Sequence, residues 1–173
     1  PILWHIVKTY AHWGLRHFVV CLGYKGEMIK EYFLNFRAMN QDFTTTIGGN
    51  HSVEYHADED EDGIRVTLAD TGLDSMTGAR VKRVERYIQG DTFCVTYGDG
   101  LVDVNIRQLL QFHREHGRLA TVTAVRPISR YGILDIGANS RVRSFSEKPN
   151  EEAWINAGYF VFDRRVFDYL KTD

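Results

Sequence analysis

The chain has 173 residues, 43% of them hydrophobic and 13% aromatic, enough to bury one sizeable core and making a single domain the default. Its 21 basic and 23 acidic side chains leave a formal net charge of -2, which excludes a global field that would draw in nucleic acid. No apolar run approaches the roughly 18 residues of a membrane span, no basic-then-apolar segment opens the chain, and Cys21 and Cys94 sit in apolar, β-branched runs as reduced core thiols do, so a soluble, cytoplasmic protein is expected.

Ile2, Leu3, Ile6, Val7, Tyr10 and Trp13 recur at spacings of three and four, and Gly14 stands where a helix C-terminal glycine belongs. The helix starts at Pro1 without an initiating Met or a preceding strand, so an upstream segment is expected. His17 to Leu22 is a short apolar run bounded by Gly23 and Gly26, as in a strand buried on both faces of a parallel sheet. Met28, Ile29, Tyr32, Phe33 and Phe36 form the stripe of a second helix, from about Gly26 to Met39. Residues 40 to 63, with Gly48-Gly49-Asn50 and the acidic run Asp58 to Asp62, read as a solvated loop or hairpin.

Ile64 to Asp70 alternates apolar and polar residues as a strand does, and a polar stretch then leads into a helix from about Gly78 to Ile88. Thr92 to Thr96 is the next buried strand, followed by Tyr97-Gly98-Asp99-Gly100 and a helix from about Asn105 to His116 that Gly117 closes. Ala120 to Val125, Ile133 to Ile136, Val142 to Phe145 and Ile155 to Phe162 are further strands, and Val166 to Leu170 is helical. Helices alternating with short buried strands give an α/β, doubly wound sheet, in which ligands bind beyond the carboxyl ends of the strands.

The strongest chemical signal is Gly98-Asp99-Gly100, a carboxylate between two glycines at the end of a buried strand. One carboxylate with phosphate oxygens and water is how proteins usually hold Mg²⁺, and flanking glycines admit close approach of a ligand. The same tripeptide also serves as an ordinary tight turn. Thr77-Gly78-Ala79-Arg80 stands where a loop meets a helix and could receive a base or phosphate, or it could be a Thr77 cap with Arg80 on the solvated face. Glu147-Lys148-Pro149 offers a phosphate donor and a hydroxyl acceptor, or a solvated charge pair, and Asn156-Ala157-Gly158 marks ligand approach or a bulge. Histidines 5, 12, 17, 51, 56, 113 and 116 have no zinc-site spacing and read as surface or helix-packing residues, and Asp58 to Asp62 lacks the ligand spacing of a calcium loop. Nucleophile-elbow, Walker and Gly-x-Gly-x-x-Gly patterns are missing, which argues against covalent hydrolases, P-loop NTPases and dinucleotide oxidoreductases.

Taken in order, Pro1-Ile-Leu-Trp-His-Ile6, Thr77-Gly78-Ala79-Arg80, Tyr97-Gly98-Asp99-Gly100, Glu147-Lys148-Pro149 and Trp154-Ile-Asn-Ala-Gly158 resemble the sugar-1-phosphate nucleotidyltransferases, and within them the cytidylyl-transferring branch. The resemblance implies a Rossmann-like, mostly parallel mixed sheet and one nucleotidyltransferase core over 1–173, truncated at both ends. It implies CTP and α-D-glucose 1-phosphate as substrates, CDP-glucose and pyrophosphate as products, Mg²⁺ as cofactor, a place in dideoxy-sugar and O-antigen synthesis, and an oligomer in the full-length protein. Asp99 matches the metal ligand, with Lys148 beside it as a catalytic residue. Thr77, Gly78, Arg80 and Gly98 match nucleotide-contacting positions, and Glu147, Lys148, Asn156 and Gly158 match positions around the sugar and its phosphate. The family's N-terminal glycine-rich loop, the lysine after it and a second metal aspartate have no counterpart in these residues, so the fragment alone is expected to be inactive. A relative using UTP, dTTP or GTP, or a non-catalytic nucleotide-sugar-binding homologue, are the alternatives.

Overall fold

The computed structural model describes residues 1–49, 51–56, 63–127, 132–147 and 154–172. The chain divides into two compact units, Pro1–Ile6 with Asp91–Arg164, and Val7–Gly90 with Arg165–Asp173, a division that chain length and composition do not disclose. Helix α1 (Ile2–His12) contributes to both. Gly14 follows it at a φ of 88°, the left-handed conformation that a helix-terminating glycine adopts at low cost.

The second unit is built on a parallel pair, β1 (His17–Leu22) against β4 (Arg65–Asp70), in a register that runs from His17 opposite Arg65 to Leu22 opposite Asp70. Within β1 only Leu22 is fully buried, where the apolar run suggested a strand covered on both faces. Among the described residues β1 and β4 are ladder partners of each other alone, and most of their side chains stay half-buried.

The helix expected over Gly26 to Met39 is two helices, α2 (Gly26–Leu34) and α3 (Phe36–Asn40). They part at Asn35, whose backbone leaves the helical region and whose side chain donates to the Glu31 carbonyl oxygen at 3.0 Å beside its own backbone N–H, a local bond that favours a helix end. Residues 40 to 63 resolve the choice between loop and hairpin: β2 (Phe43–Thr46) pairs antiparallel with β3 (Ser52–Tyr55). The acidic run from 58 to 62 lies outside the described residues. After β4 the chain reaches α4 (Thr77–Arg83), followed by a 3-10 turn at Glu85–Tyr87. Val7, Tyr10, Ala11, Leu22, Ala69, Ala79, Val84 and Phe167 are the buried apolar residues of this unit.

The first unit holds a three-stranded sheet in the order β5 (Thr92–Thr96), β9 (Ile155–Asp163), β6 (Ala120–Val125). Strand β9 is antiparallel to both neighbours, so β5 and β6 run in the same direction with an opposed strand between them. The mostly parallel expectation is refined accordingly: the sheet is mixed because the late strand β9 is inserted between two strands that run in parallel. Helix α5 (Ile106–His116) has the start and stop its sequence announces, with Asn105 Oδ1 accepting from the Gln108 N–H at 3.0 Å and Gly117 left-handed at a φ of 64°. The hairpin β7 (Ile133–Ile136) with β8 (Val142–Ser146) is exposed throughout. The terminal helical segment is a 3-10 helix at Arg164–Asp168. Tyr159, Val161 and Ile106 are fully buried here, so β9 is the spine of the unit's core. Among the described residues no helix is long and apolar enough to cross a membrane.

Candidate functional site

The carboxyl end of β5 and the start of β9 bring four of the sequence-predicted residues together through Tyr97. The Tyr97 N–H donates to the Gly158 carbonyl oxygen at 3.2 Å, extending the β5–β9 ladder one residue past the strand. The chain then turns at Gly98 and Asp99, both exposed. Neither Gly98 nor Gly100 has a positive φ, and a Cβ built on either would meet nothing within 4 Å. Backbone geometry and packing therefore leave both glycines unexplained, in contrast to an ordinary glycine turn, and the space above the turn is open. Among the described residues the Asp99 carboxylate has neither a hydrogen bond nor an ion pair.

Asn156 faces this turn with its carboxamide fixed at both ends. Its Oδ1 accepts from the Gly158 N–H at 2.7 Å and its Nδ2 donates to the Tyr97 hydroxyl at 3.1 Å. Because a backbone N–H can only donate, the orientation of the amide is set by chemistry. Gly158 holds a φ of 78°, and a Cβ there would lie 2.7 Å from the Tyr97 ring, so both conformation and packing require glycine. The bulge suggested for this region is present: between the Val122–Phe160 and Ala124–Asn156 pairs one residue of β6 stands against three of β9, so the extra residues lie in β9 at Ala157 to Tyr159.

At the same end of the sheet Ala124 pairs with Asn156 and Val125 with Ile155, and the Arg126 guanidinium sits 4.6 Å above the Trp154 ring in a cation–π contact. Neither Tyr97's bridging role nor the Arg126–Trp154 pair was identified from sequence, since only register places them beside Asn156. Glu147 emerges exposed just past β8, near Gly132, where a Cβ would come 3.3 Å from its Oε2. Lys148 lies outside the described residues.

In the second unit Thr77 is exposed and is the first residue of α4. The cap position belongs to Met76, without a side-chain cap bond, so the Thr77 cap expected as the bland alternative is not formed. Gly78 is half-buried beside Leu170, at an ordinary 3.7 Å for a hypothetical Cβ. Arg80 is not a solvated side chain either. Its Nη1 donates to the Leu22 carbonyl oxygen at 3.1 Å and to the Thr71 hydroxyl at 2.8 Å, and its Nη2 to the Leu73 carbonyl oxygen at 3.0 Å. The Thr71 hydroxyl donates in turn to the Leu22 carbonyl oxygen at 2.8 Å. A Cβ on Gly23 would fall 2.7 Å from Arg80 Nη1, so glycine there admits the guanidinium. Arg83 Nη1 donates to the Thr71 carbonyl oxygen and to Ser75 Oγ on the other side of the same loop. Arg80 and Arg83 thus tie together the carboxyl ends of β1 and β4, the place where an α/β sheet presents its loops to ligands.

The thiols behave as core groups: burial raises Cys21 above its ordinary value against a smaller lowering by Arg80, and pushes Cys94 up to about 11. Neither is a thiolate nucleophile at neutral pH. His113 is buried with its Nδ1 2.8 Å from Thr121 Oγ1, a helix-packing role as its sequence context suggests. No group of three or more His, Cys, Asp or Glu residues able to hold a metal occurs among the described residues. A cation at Asp99 would therefore complete its shell with phosphate oxygens and water, which suits Mg²⁺, a hard ion that usually retains waters.

The profile of the family described as nucleotidyl transferase matches residues 1–173. The glucose-1-phosphate cytidylyltransferase of Salmonella typhimurium is 46% identical over 175 aligned residues, spanning 100% of this chain and 67% of that protein. The probable glucose-1-phosphate cytidylyltransferase of Bacillus subtilis is 38% identical, over 100% of this chain and 66% of its own length. The chain thus spans about two thirds of these relatives. Among solved structures, HddC from Yersinia pseudotuberculosis superposes with a TM-score of 0.62 at 18% identity, over 98% of this chain and 65% of that one. A UDP-glucose pyrophosphorylase complexed with UDP-glucose gives 0.59 at 14% identity, over 97% and 66%. At these identities the likeness is one of fold, and it bears out the Rossmann-like α/β class.

Proposed function

The chain belongs to the nucleotidyl transferase family, and from that premise we propose that it carries much of the core of an enzyme that moves CMP from CTP to α-D-glucose 1-phosphate. The products are CDP-glucose and pyrophosphate, and the reading makes this a step in the supply of dideoxy sugars. The observation that carries it is the Asp99 turn: an exposed carboxylate without a partner among the described residues, between two glycines that neither φ nor packing demands. Such a turn suits a cation bound largely by ligand oxygens. The two relatives at 46% and 38% identity, both named for this substrate pair, support the choice of nucleotide and sugar.

In this reaction a phosphate oxygen of glucose 1-phosphate forms a bond to the α-phosphorus of CTP, and the bond from that phosphorus to the bridging oxygen of the β-phosphate breaks. Pyrophosphate leaves with the electron pair. The attacking oxygen is already ionised at neutral pH, so proton removal is not required of the protein. Bound at Asp99, Mg²⁺ would supply positive charge against the repulsion of the two anions. The chain's own part is alignment. Asn156, held at both ends, presents a remaining Nδ2 hydrogen to a sugar or phosphate oxygen, and Glu147 offers acceptor oxygens for hydroxyls. Lys148 adds a compact cation for the sugar phosphate. Within the second unit, Thr77 and Gly78 are the nucleotide-contacting positions of this reading, and Arg80 sustains the loops at the ends of β1 and β4. Holding two reactants in register is the main source of acceleration in such a transfer.

The test is pyrophosphate release by the native protein with glucose 1-phosphate and each of CTP, UTP, dTTP and GTP. CTP-dependent release with CDP-glucose as product is the expected result. A preference for another nucleotide would move the protein to a sister activity, and tight nucleotide-sugar binding without turnover would make it a sensor.

A further inference from the structure

Tyr97 joins the Asp99 turn, Asn156 and Gly158 in the first unit's candidate site. Its backbone continues the ladder to Gly158, the next two residues are the Gly98–Asp99 turn, its hydroxyl receives the Asn156 amide at 3.1 Å, and its ring fills the volume a Cβ on Gly158 would need. The ring is also braced edge-on by Phe160, centroid to centroid 5.9 Å. Yet it is 42% exposed, so hydrophobic burial alone does not account for a tyrosine here. A phenylalanine would fill the same space over Gly158. What the hydroxyl adds is a fixed acceptor for Asn156, whose carboxamide would otherwise pivot about its remaining bond to the Gly158 N–H.

We propose that Tyr97 is a positioning residue: by accepting from Asn156 Nδ2 it fixes the Asn156 carboxamide toward the sugar 1-phosphate and sets that end of the substrate in register with the Asp99 turn two residues on. The hydroxyl accepts from Asn156, so its own hydrogen points elsewhere, and the amide keeps its second Nδ2 hydrogen for substrate. The inference rests on the cytidylyl-transfer reading for the identity of what Asn156 meets, while the fixing of the amide stands on geometry alone.

The decisive variants are Tyr97→Phe, Asn156→Ala and the double variant, made in the native protein. Tyr97→Phe should raise the KM for glucose 1-phosphate about tenfold, the effect of one lost hydrogen bond, with the KM for CTP and the melting temperature unchanged. The double variant should be no worse than Asn156→Ala, because Tyr97 acts through that residue. A KM for glucose 1-phosphate that does not move in Tyr97→Phe, or full additivity in the double variant, overturns the proposal. A second readout is independent of activity: the side-chain ¹⁵Nδ2 signals of Asn156 should shift and exchange faster in Tyr97→Phe, and unaltered signals count against the proposal. Should the wild-type protein make no CDP-glucose, the functional reading fails while the amide signals still decide the role of Tyr97.

Discussion

Arg80 meets Thr71 at 2.8 Å, its Nη1 donating to a hydroxyl that itself donates to the Leu22 carbonyl oxygen, so one guanidinium joins the ends of two parallel strands. Thr71 is only 1% exposed, and the Leu22 carbonyl oxygen also receives the Thr71 N–H at 2.9 Å. Replacing Arg80 by Lys offers a point charge in place of a planar fork that serves acceptors on Leu22, Thr71 and Leu73 at once. Arg80→Lys should cost about 1–3 kcal/mol of stability and raise the KM for the nucleotide, measured by urea midpoints and initial rates. Thr71→Val, similar in shape but without the hydroxyl, should lose about 2 kcal/mol because the Arg80 donor is left short of a partner. A urea midpoint at the wild-type value in both variants would mean the clamp contributes nothing.

Asp99 is exposed and lacks a protein partner among the described residues, so its carboxylate contributes nothing to the fold that Asn could not supply. Asp99→Asn should therefore leave the thermal midpoint where it is while lowering turnover by about 10²–10³-fold, and excess Mg²⁺ should recover little of the loss. Chelation of divalent cations should silence the wild type in the same assay. Undiminished turnover after either treatment would remove Asp99 from the chemistry.

Much of this was legible in the chain because periodicity reports local burial. The α5 boundaries follow from Asn105 and Gly117, and β5 and β9 follow from their apolar runs. What the pattern could not convey is pairing. Insertion of β9 between β5 and β6 places Asn156 beside Tyr97, 59 positions away in sequence, and no spacing rule discloses it. Arg80 shows the same limit in another form. Its place near a helix start suggested a ligand contact or a solvated charge, whereas its partners are the Leu22 and Leu73 carbonyl oxygens and the Thr71 hydroxyl, which come together only when β1 and β4 pair. The break at Asn35 was hidden because the aromatic stripe continues through it.

Gly158 differs from Gly98 and Gly100 in being required by the fold. Its φ of 78° is strained for any L side chain, and a Cβ there would press on the Tyr97 ring at 2.7 Å. Gly158→Ala should cost about 1–3 kcal/mol in a denaturant titration and should also raise the KM for the sugar phosphate, since displacing the ring displaces the hydroxyl that holds Asn156. Gly98→Ala, at a site with open space and an ordinary φ, should keep full stability. Equal stability losses in the two variants would show that the glycines are not distinguished in this way.

His113 gives the first unit a pH-dependent stability whose sign follows from its burial and its neighbours. His116 Nδ1 accepts from the Arg118 N–H at 2.9 Å, so its Nε2 carries the hydrogen and donates to Thr121 Oγ1 at 2.7 Å. The Thr121 hydroxyl is then free to donate to His113 Nδ1 at 2.8 Å, with that nitrogen as an unprotonated acceptor. Burial lowers the His113 pKa from its ordinary 6.5, with His116 and Arg114 acting in the same direction and Asp163 opposing them. Because the folded value is the lower one, the unfolded chain binds more protons as pH drops below 6.5, so stability is full above that value and falls as the pH descends toward the folded value. Urea midpoints measured from pH 8 down to pH 5 should decline through this range, and the decline should be shallower in His113→Gln, which cannot titrate there. A midpoint that rises on acidification, or a slope identical in wild type and His113→Gln, would assign the pH dependence to other groups.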